Sequence, residues 1–141
     1  MINKPHAFLS LHRYFIWANH LRDYFDAAIK MRDGSDVTAF ANDIGLFMAH
    51  WYGALYVVVE GWKELDLHDP NIDKLLQSQN VELLKRFRHG AFHFQKHYFD
   101  DRFDNFWKNS QDTVPWVRKL NSEFGYYFLR EFQAIKNKNI L

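Results

Sequence analysis

The stretch from Ile44 to Val59, IGLFMAHWYGALYVVV, decides the fold. It carries no Asp, Glu, Lys or Arg and is bounded by Asp43 and Glu60. That run is shorter than the ~18 to 20 residues a bilayer span needs, so it predicts a helix buried in a protein core. Apolar positions at helical spacing (Phe40, Ile44, Phe47, Trp51, Leu55, Val58, Trp62) extend the predicted helix from Val37 to about Leu65. Gly45, Ala49 and Gly53 recur every fourth residue and predict a groove that the first helix or a symmetry mate can approach closely. His50, beside Trp51, reads as a core histidine bonded to a neighbouring group.

Working outward, the same periodicity predicts a first helix from about Pro5 to Met31. Phe8, Leu11, Phe15, Ala18, Phe25 and Ile29 form its main seam, and Tyr14, Trp17, Leu21, Tyr24 and Ala28 a second stripe. Such a wide apolar arc predicts burial on two sides. Arg22 interrupts the seam and calls for a carboxylate, from Asp26 at i+4 or from Asp43. Asp33-Gly34-Ser35-Asp36 reads as a turn and helix cap. Asp69-Pro70 reads as the cap and first turn of a short helix through Ser78. Asn80 caps a further helix, with Val81, Leu84, Phe87, Ala91, Phe94 and Tyr98 as its core stripe, continuing with or without a break to Trp107. Pro115 opens the last helix, lined by Val117, Leu120, Phe124, Phe128, Phe132 and Ile135. The expected fold is all-α: a single domain over residues 1–141, an antiparallel bundle of four long helices plus a short one.

Composition narrows the function. Apolar residues reach 48% and aromatics 18%, more than one small monomer readily hides, which predicts a homo-oligomer as the outlet. At helical spacing those aromatics read as core rather than as base-stacking platforms. A formal charge of +1 gives no global field for nucleic acid, so any contact with RNA must come from a local patch. The absence of cysteine excludes thiolate metal sites and a cysteine nucleophile. The N-terminal residues lack the apolar core of a signal peptide, and the expected location is cytoplasmic, without a membrane.

The chemistry concentrates in Leu83-Leu84-Lys85-Arg86-Phe87-Arg88-His89-Gly90-Ala91-Phe92-His93. A guanidinium holds phosphate through paired hydrogen bonds, and an imidazole exchanges a proton near neutral pH. The segment resembles the signature of HEPN domains, all-helical bundles whose motif is an arginine followed after four to six residues by a histidine. Arg88 and His93 fit the shortest spacing, and Arg86 and His93 the longest. His89 stands where the family most often has Asn after the arginine, which departs from the pattern. The resemblance implies a protein that acts on or binds RNA: a metal-independent endoribonuclease, with no cofactor, of the kind found in toxin and antiphage systems, or a member that has lost catalysis and only binds. It also implies a dimer whose two motif copies share a cleft, and an antitoxin as a further partner. Arg88 and His93 would be catalytic, with Arg86, His89 and Lys96 supporting the phosphate.

Helix geometry leaves two arrangements open. Residues five apart sit ~140° around a helix axis, so Arg88 and His93 share a face only if Gly90 permits a kink. Arg86, His89, His93 and Lys96, spaced 3, 4 and 3, share a face without one. Two other readings compete. His89, His93 and His97 recur at i, i+4 and i+8, a pattern that could engage a metal in a metal- or small-molecule-binding bundle. The chain could instead be a non-catalytic helical interaction protein that assembles with itself.

Overall fold

The computed structural model describes residues 4–31 and 43–139. Among them are six helices and no strand: α1 (Lys4–Lys30), α2 (Gly45–Glu64), α3 (Pro70–Leu75), α4 (Asn80–Phe92), α5 (Asp101–Lys108) and α6 (Ser110–Asn139). The all-helical expectation is met. Three helices are long, and the region expected to hold the fourth divides into α4 and α5. Residues 33–42, including the predicted turn and the predicted start of the second helix at Val37, lie outside the described residues. No described helix is long and apolar enough to cross a membrane.

α2 is the axis of the core, with Trp51, Tyr52, Leu55, Val58, Val59 and Trp62 all buried. α1 runs against it in the opposite sense: Leu11 meets Gly61 near the end of α2, while Phe25 meets Trp51 at 5.4 Å between ring centroids. α6 likewise opposes α1, with Phe8 against Phe128 at 5.5 Å and Asp26 bonded to Arg118. Gly61, outside the predicted Gly45–Gly53 groove, is a point of close approach to α1, because a side chain there would strike Leu11. Gly53 instead lies under the Phe92 ring of α4. His50 is exposed rather than core; its Nδ1 donates to the Leu46 carbonyl at 2.9 Å, and its ring meets Phe92 edge-on.

A chain of polar contacts crosses this core. Trp51 Nε1 donates to Asn121 Oδ1 at 3.0 Å, Asn121 Nδ2 to Asn19 Oδ1 at 3.1 Å, and Arg22 Nε to the same Asn19 oxygen at 3.0 Å. Arg22 then donates to Asp26 at 2.8 Å, and Arg118 to Asp26 at 2.7 Å. Of Asp26 and Asp43, Arg22 pairs with Asp26, and it also donates to Asp23 at 2.7 Å. On α1 the inner seam is buried from Leu11 to Phe25, but Ile29 of that seam and Trp17 and Tyr24 of the second stripe are exposed.

Local chemistry accounts for some of the helix ends. Asp69 caps α3 as expected, its carboxylate accepting from the Asn71 and Ile72 amides at 3.0 and 3.1 Å. Asn80 does not act as the expected cap: its own amide is held by Ser78 Oγ, and its buried side chain donates to Asp112 at 3.0 Å. α6 starts at Ser110, ahead of Pro115.

The largest departure lies after Phe92. His93 adopts an extended backbone and ends α4, and Asp100 then caps α5 by accepting from the Arg102 amide at 2.9 Å. Phe94 and Tyr98, expected in the core stripe, are 92% and 83% exposed. The physical reason is the pull of α5. A straight helix would carry Phe103 about 24 Å along the axis from Phe87. The break brings their rings to 5.5 Å and buries Phe106 between Phe87 and Tyr52, each at 5.2 Å.

Asp26 supplies a testable consequence. Burial pushes its carboxyl up, but hydrogen bonds and charge from Arg118 and then Arg22 outweigh this and hold it below the usual range. A depressed carboxylate stabilises the fold above its unfolded pKa and loses that contribution as pH falls through the folded one. Asp26→Asn should therefore cost about 1–2 kcal/mol at pH 7 in chemical unfolding, since it leaves the Arg118 guanidinium without its carboxylate and Arg22 with Asp23 alone. The gap to the wild type should close as the pH drops below about 4.

Candidate functional site

The outward side of α4 forms one wall of an open hollow of about 450 Å³, lined by Glu82, Lys85, Arg86, Arg88, His89, Phe92, His93 and Arg102. Its placement follows from the pattern of α4. Val81, Leu84, Phe87 and Gly90 are buried on the inner side, which turns Lys85, Arg86 and His89 outward. α4 is helical without interruption through Gly90 to Phe92, so no kink at Gly90 swings Arg88 across. Gly90 serves close approach instead. A Cβ there would lie 3.0 Å from Arg102 Cβ and 3.2 Å from the Phe103 ring, so its absence lets α5 rest on α4.

His93 keeps its helical amide bond, donating to the His89 carbonyl at 3.1 Å, although its own backbone has turned extended. The two imidazoles stack with centroids 4.3 Å apart. Arg102 braces the far end: its guanidinium donates to Gln95 Oε1 at 2.9 Å and to Asp100 at 3.2 Å. Gln95 Nε2 in turn donates to the His93 carbonyl at 2.8 Å, so His93 is tied to α5.

The cations of the hollow differ in their freedom. Arg88 donates to Glu60 of α2 at 2.6 Å and lies over the Tyr56 ring. Arg102 is paired with Asp100. Arg86 and Lys85 have no carboxylate partner within salt-bridge distance among the described residues. A diffusible anion entering the hollow would therefore meet Arg86 without first displacing a protein carboxylate. Partial burial, the neighbouring His93, and the Arg102 and Arg88 guanidiniums together hold the His89 imidazole below its ordinary pKa, opposed by Asp100. These influences favour the neutral form of His89, which can accept a proton.

Four of the five residues singled out in the sequence, Arg86, Arg88, His89 and His93, thus border one hollow. Lys96 does not: it lies in the exposed segment past the end of α4, where helical spacing no longer applies. His97 leaves the His89–His93 face for the same reason, and the described residues contain no group of three His, Asp or Glu arranged to hold a metal ion. Arg102 was not foreseen. The signal for it is Asp100-Asp101, a capping pair ahead of Phe103 and Phe106, which marks a new helix and so a return of the chain.

No protein-family model, curated protein or solved structure matches this chain.

The electrostatic argument predicts the behaviour of His89 in a titration followed by NMR. His89 should titrate below an unperturbed imidazole, and Arg102→Ala should move it back upward. Inorganic phosphate bound in the hollow should raise it as well, because an anion favours the charged ring. A His89 that ignores both changes would show that the hollow exerts no field on it.

Proposed function

We propose that this hollow binds an RNA phosphodiester and that the chain is a HEPN-like, metal-independent endoribonuclease. One observation carries the reading: an arginine without a carboxylate partner among the described residues and a stacked histidine pair line the same open hollow. Arg86 rather than Arg88 is then the motif arginine, at the longest spacing the resemblance allows, since Arg88 is engaged by Glu60. Arg86 and His93 line the same hollow, where both can reach one bound phosphate.

In this mechanism the neutral His89 accepts the proton of a ribose 2′-OH as its oxygen attacks the adjacent phosphorus. His93 donates a proton to the 5′-oxygen as the P–O5′ bond breaks. The products are a 2′,3′-cyclic phosphate and a free 5′-hydroxyl, and the two imidazoles exchange protons with water to reset. Arg86 and Arg102 neutralise charge on the non-bridging oxygens. The reading takes the three long helices and α4 as an antiparallel four-helix arrangement. It also expects a homodimer whose two hollows share a cleft, in the cytoplasm and in the company of an antitoxin. The exposed Leu9, Trp17 and Tyr24 on α1 support self-association.

The test is incubation of pure protein with single-stranded RNA or tRNA in EDTA, with mapping of product ends. The expected result is cleavage leaving cyclic phosphates. His89→Ala and His93→Ala should each lower the rate by about 10²–10⁴-fold, and Arg86→Ala by about 10²–10³-fold, with Arg88→Ala less damaging than Arg86→Ala. Cleavage that survives Arg86→Ala and His93→Ala, or no cleavage by the wild type, overturns the reading.

A further inference from the structure

The chain between α4 and α5 exposes its aromatic side chains. Phe94 is 92% exposed, Tyr98 83% and Phe99 77%, more than any other large aromatic residue among those described. Exposing one such ring is ordinary, but three within six residues forfeit much of the burial that drives folding. The chain has an alternative, because a continued helix would keep Phe94 and Tyr98 on the stripe of Phe87 and Ala91. The return of α5 sends them outward instead.

What they border gives the exposure a use. A second hollow of about 440 Å³ has Gly90 and Ala91 at its base and Phe94, His97, Tyr98 and Phe103 among its walls. It adjoins the cationic hollow, and Phe92 and His93 line both. One compartment is thus cationic, the other is aromatic, and a common wall separates them. This matches the two halves of a nucleotide, a charged phosphate and a flat heterocycle. Aromatic rings beside a cationic groove are how proteins hold single strands, because every base offers a π-face.

We infer that the aromatic hollow is a nucleobase subsite: one unpaired base of an RNA strand stacks on Phe94 and Tyr98 while its phosphate lies against Arg86. The inference rests on the phosphodiester reading of the cationic hollow and adds a substrate class to it. In a duplex both faces of each base are covered by neighbours, and stacking on protein requires the base to leave the helix. The protein therefore selects single-stranded RNA, through a subsite that makes no demand on base identity.

Binding is followed by fluorescence anisotropy with a labelled 2′-O-methyl RNA 12-mer, which has no free 2′-OH and cannot be cleaved. Inorganic polyphosphate serves as the competitor that carries charge without bases. The double variant Phe94→Ala/Tyr98→Ala should weaken the oligonucleotide at least about tenfold, as stacking on aromatic rings is worth, and leave polyphosphate competition unchanged. Phe94→Trp, which keeps a ring, should bind as the wild type does. The same strand annealed to its complement should bind at least about tenfold more weakly than the single strand.

Oligonucleotide affinity unchanged by Phe94→Ala/Tyr98→Ala, while Arg86→Ala weakens both probes, would overturn the base subsite and leave the phosphate site standing. That outcome would turn the aromatic patch over to a protein partner. An equal loss of both probes in the aromatic variant would also overturn it, by showing that these rings only hold the structure. Failure of the wild type to bind either probe would remove the phosphate reading along with the inference.

Discussion

The insertion of Phe106 between Phe87 and Tyr52 is the contact on which the rest of this molecule depends. Phe106 is fully buried, and burying a phenylalanine of that kind is worth about 3–5 kcal/mol against alanine. To reach that position the chain must leave the helical path after Phe92 and restart at Asp100. Gly90 makes the return sterically permissible, because a side chain there would press on Arg102 and Phe103. Three consequences follow from one packing event. Arg102 is delivered to the face of α4 that carries Arg86, His89 and His93. Gln95 is drawn in between Arg102 and the His93 carbonyl. Phe94 and Tyr98 are put out into solvent.

The electrostatics of the hollow come from the same geometry. Arg88 and Arg86 are two residues apart, so the helix sends one toward α2 and the other outward. The inward one meets Glu60 and is neutralised; the outward one has no carboxylate partner among the described residues. Formal charge over the whole chain is only +1, and this separation of paired from unpaired cations leaves local positive charge on a nearly neutral protein. Desolvation and then the neighbouring cations lower the His89 pKa, with the unpaired charge of Arg86 a turn away on α4.

Where side-chain periodicity met a packed core, the structure was legible in the residues. The buried stripe of α2, the α1 seam from Leu11 to Phe25, the Asp69 cap of α3 and the Arg22–Asp26 pair all follow from local rules of spacing and charge. Arg86, Arg88, His89 and His93 were legible as a group because they sit together on one helix. Legibility failed where a long-range contact overrode the local pattern. Phe94 and Tyr98 fit a helical stripe, and nothing in their own neighbourhood reveals that Phe106 gains more by turning back. Arg102 was missed for the same reason, since its place in the hollow depends on that return rather than on its distance from His93 along the chain. His50 shows the reverse error: an apolar neighbourhood in sequence did not bury a residue whose side of α2 is open.

The return of α5 can be measured directly by a double-mutant cycle in chemical unfolding, using Phe87→Leu, Phe106→Leu and the pair. If the two rings meet as described, the losses should be coupled by about 0.5–1.5 kcal/mol, as expected for an aromatic pair in contact. A helix running straight from Asn80 to Trp107 would hold the rings about 28 Å apart along its axis. The two losses would then add to within about 0.3 kcal/mol, and that result would contradict both the fold-back and the hollow it builds.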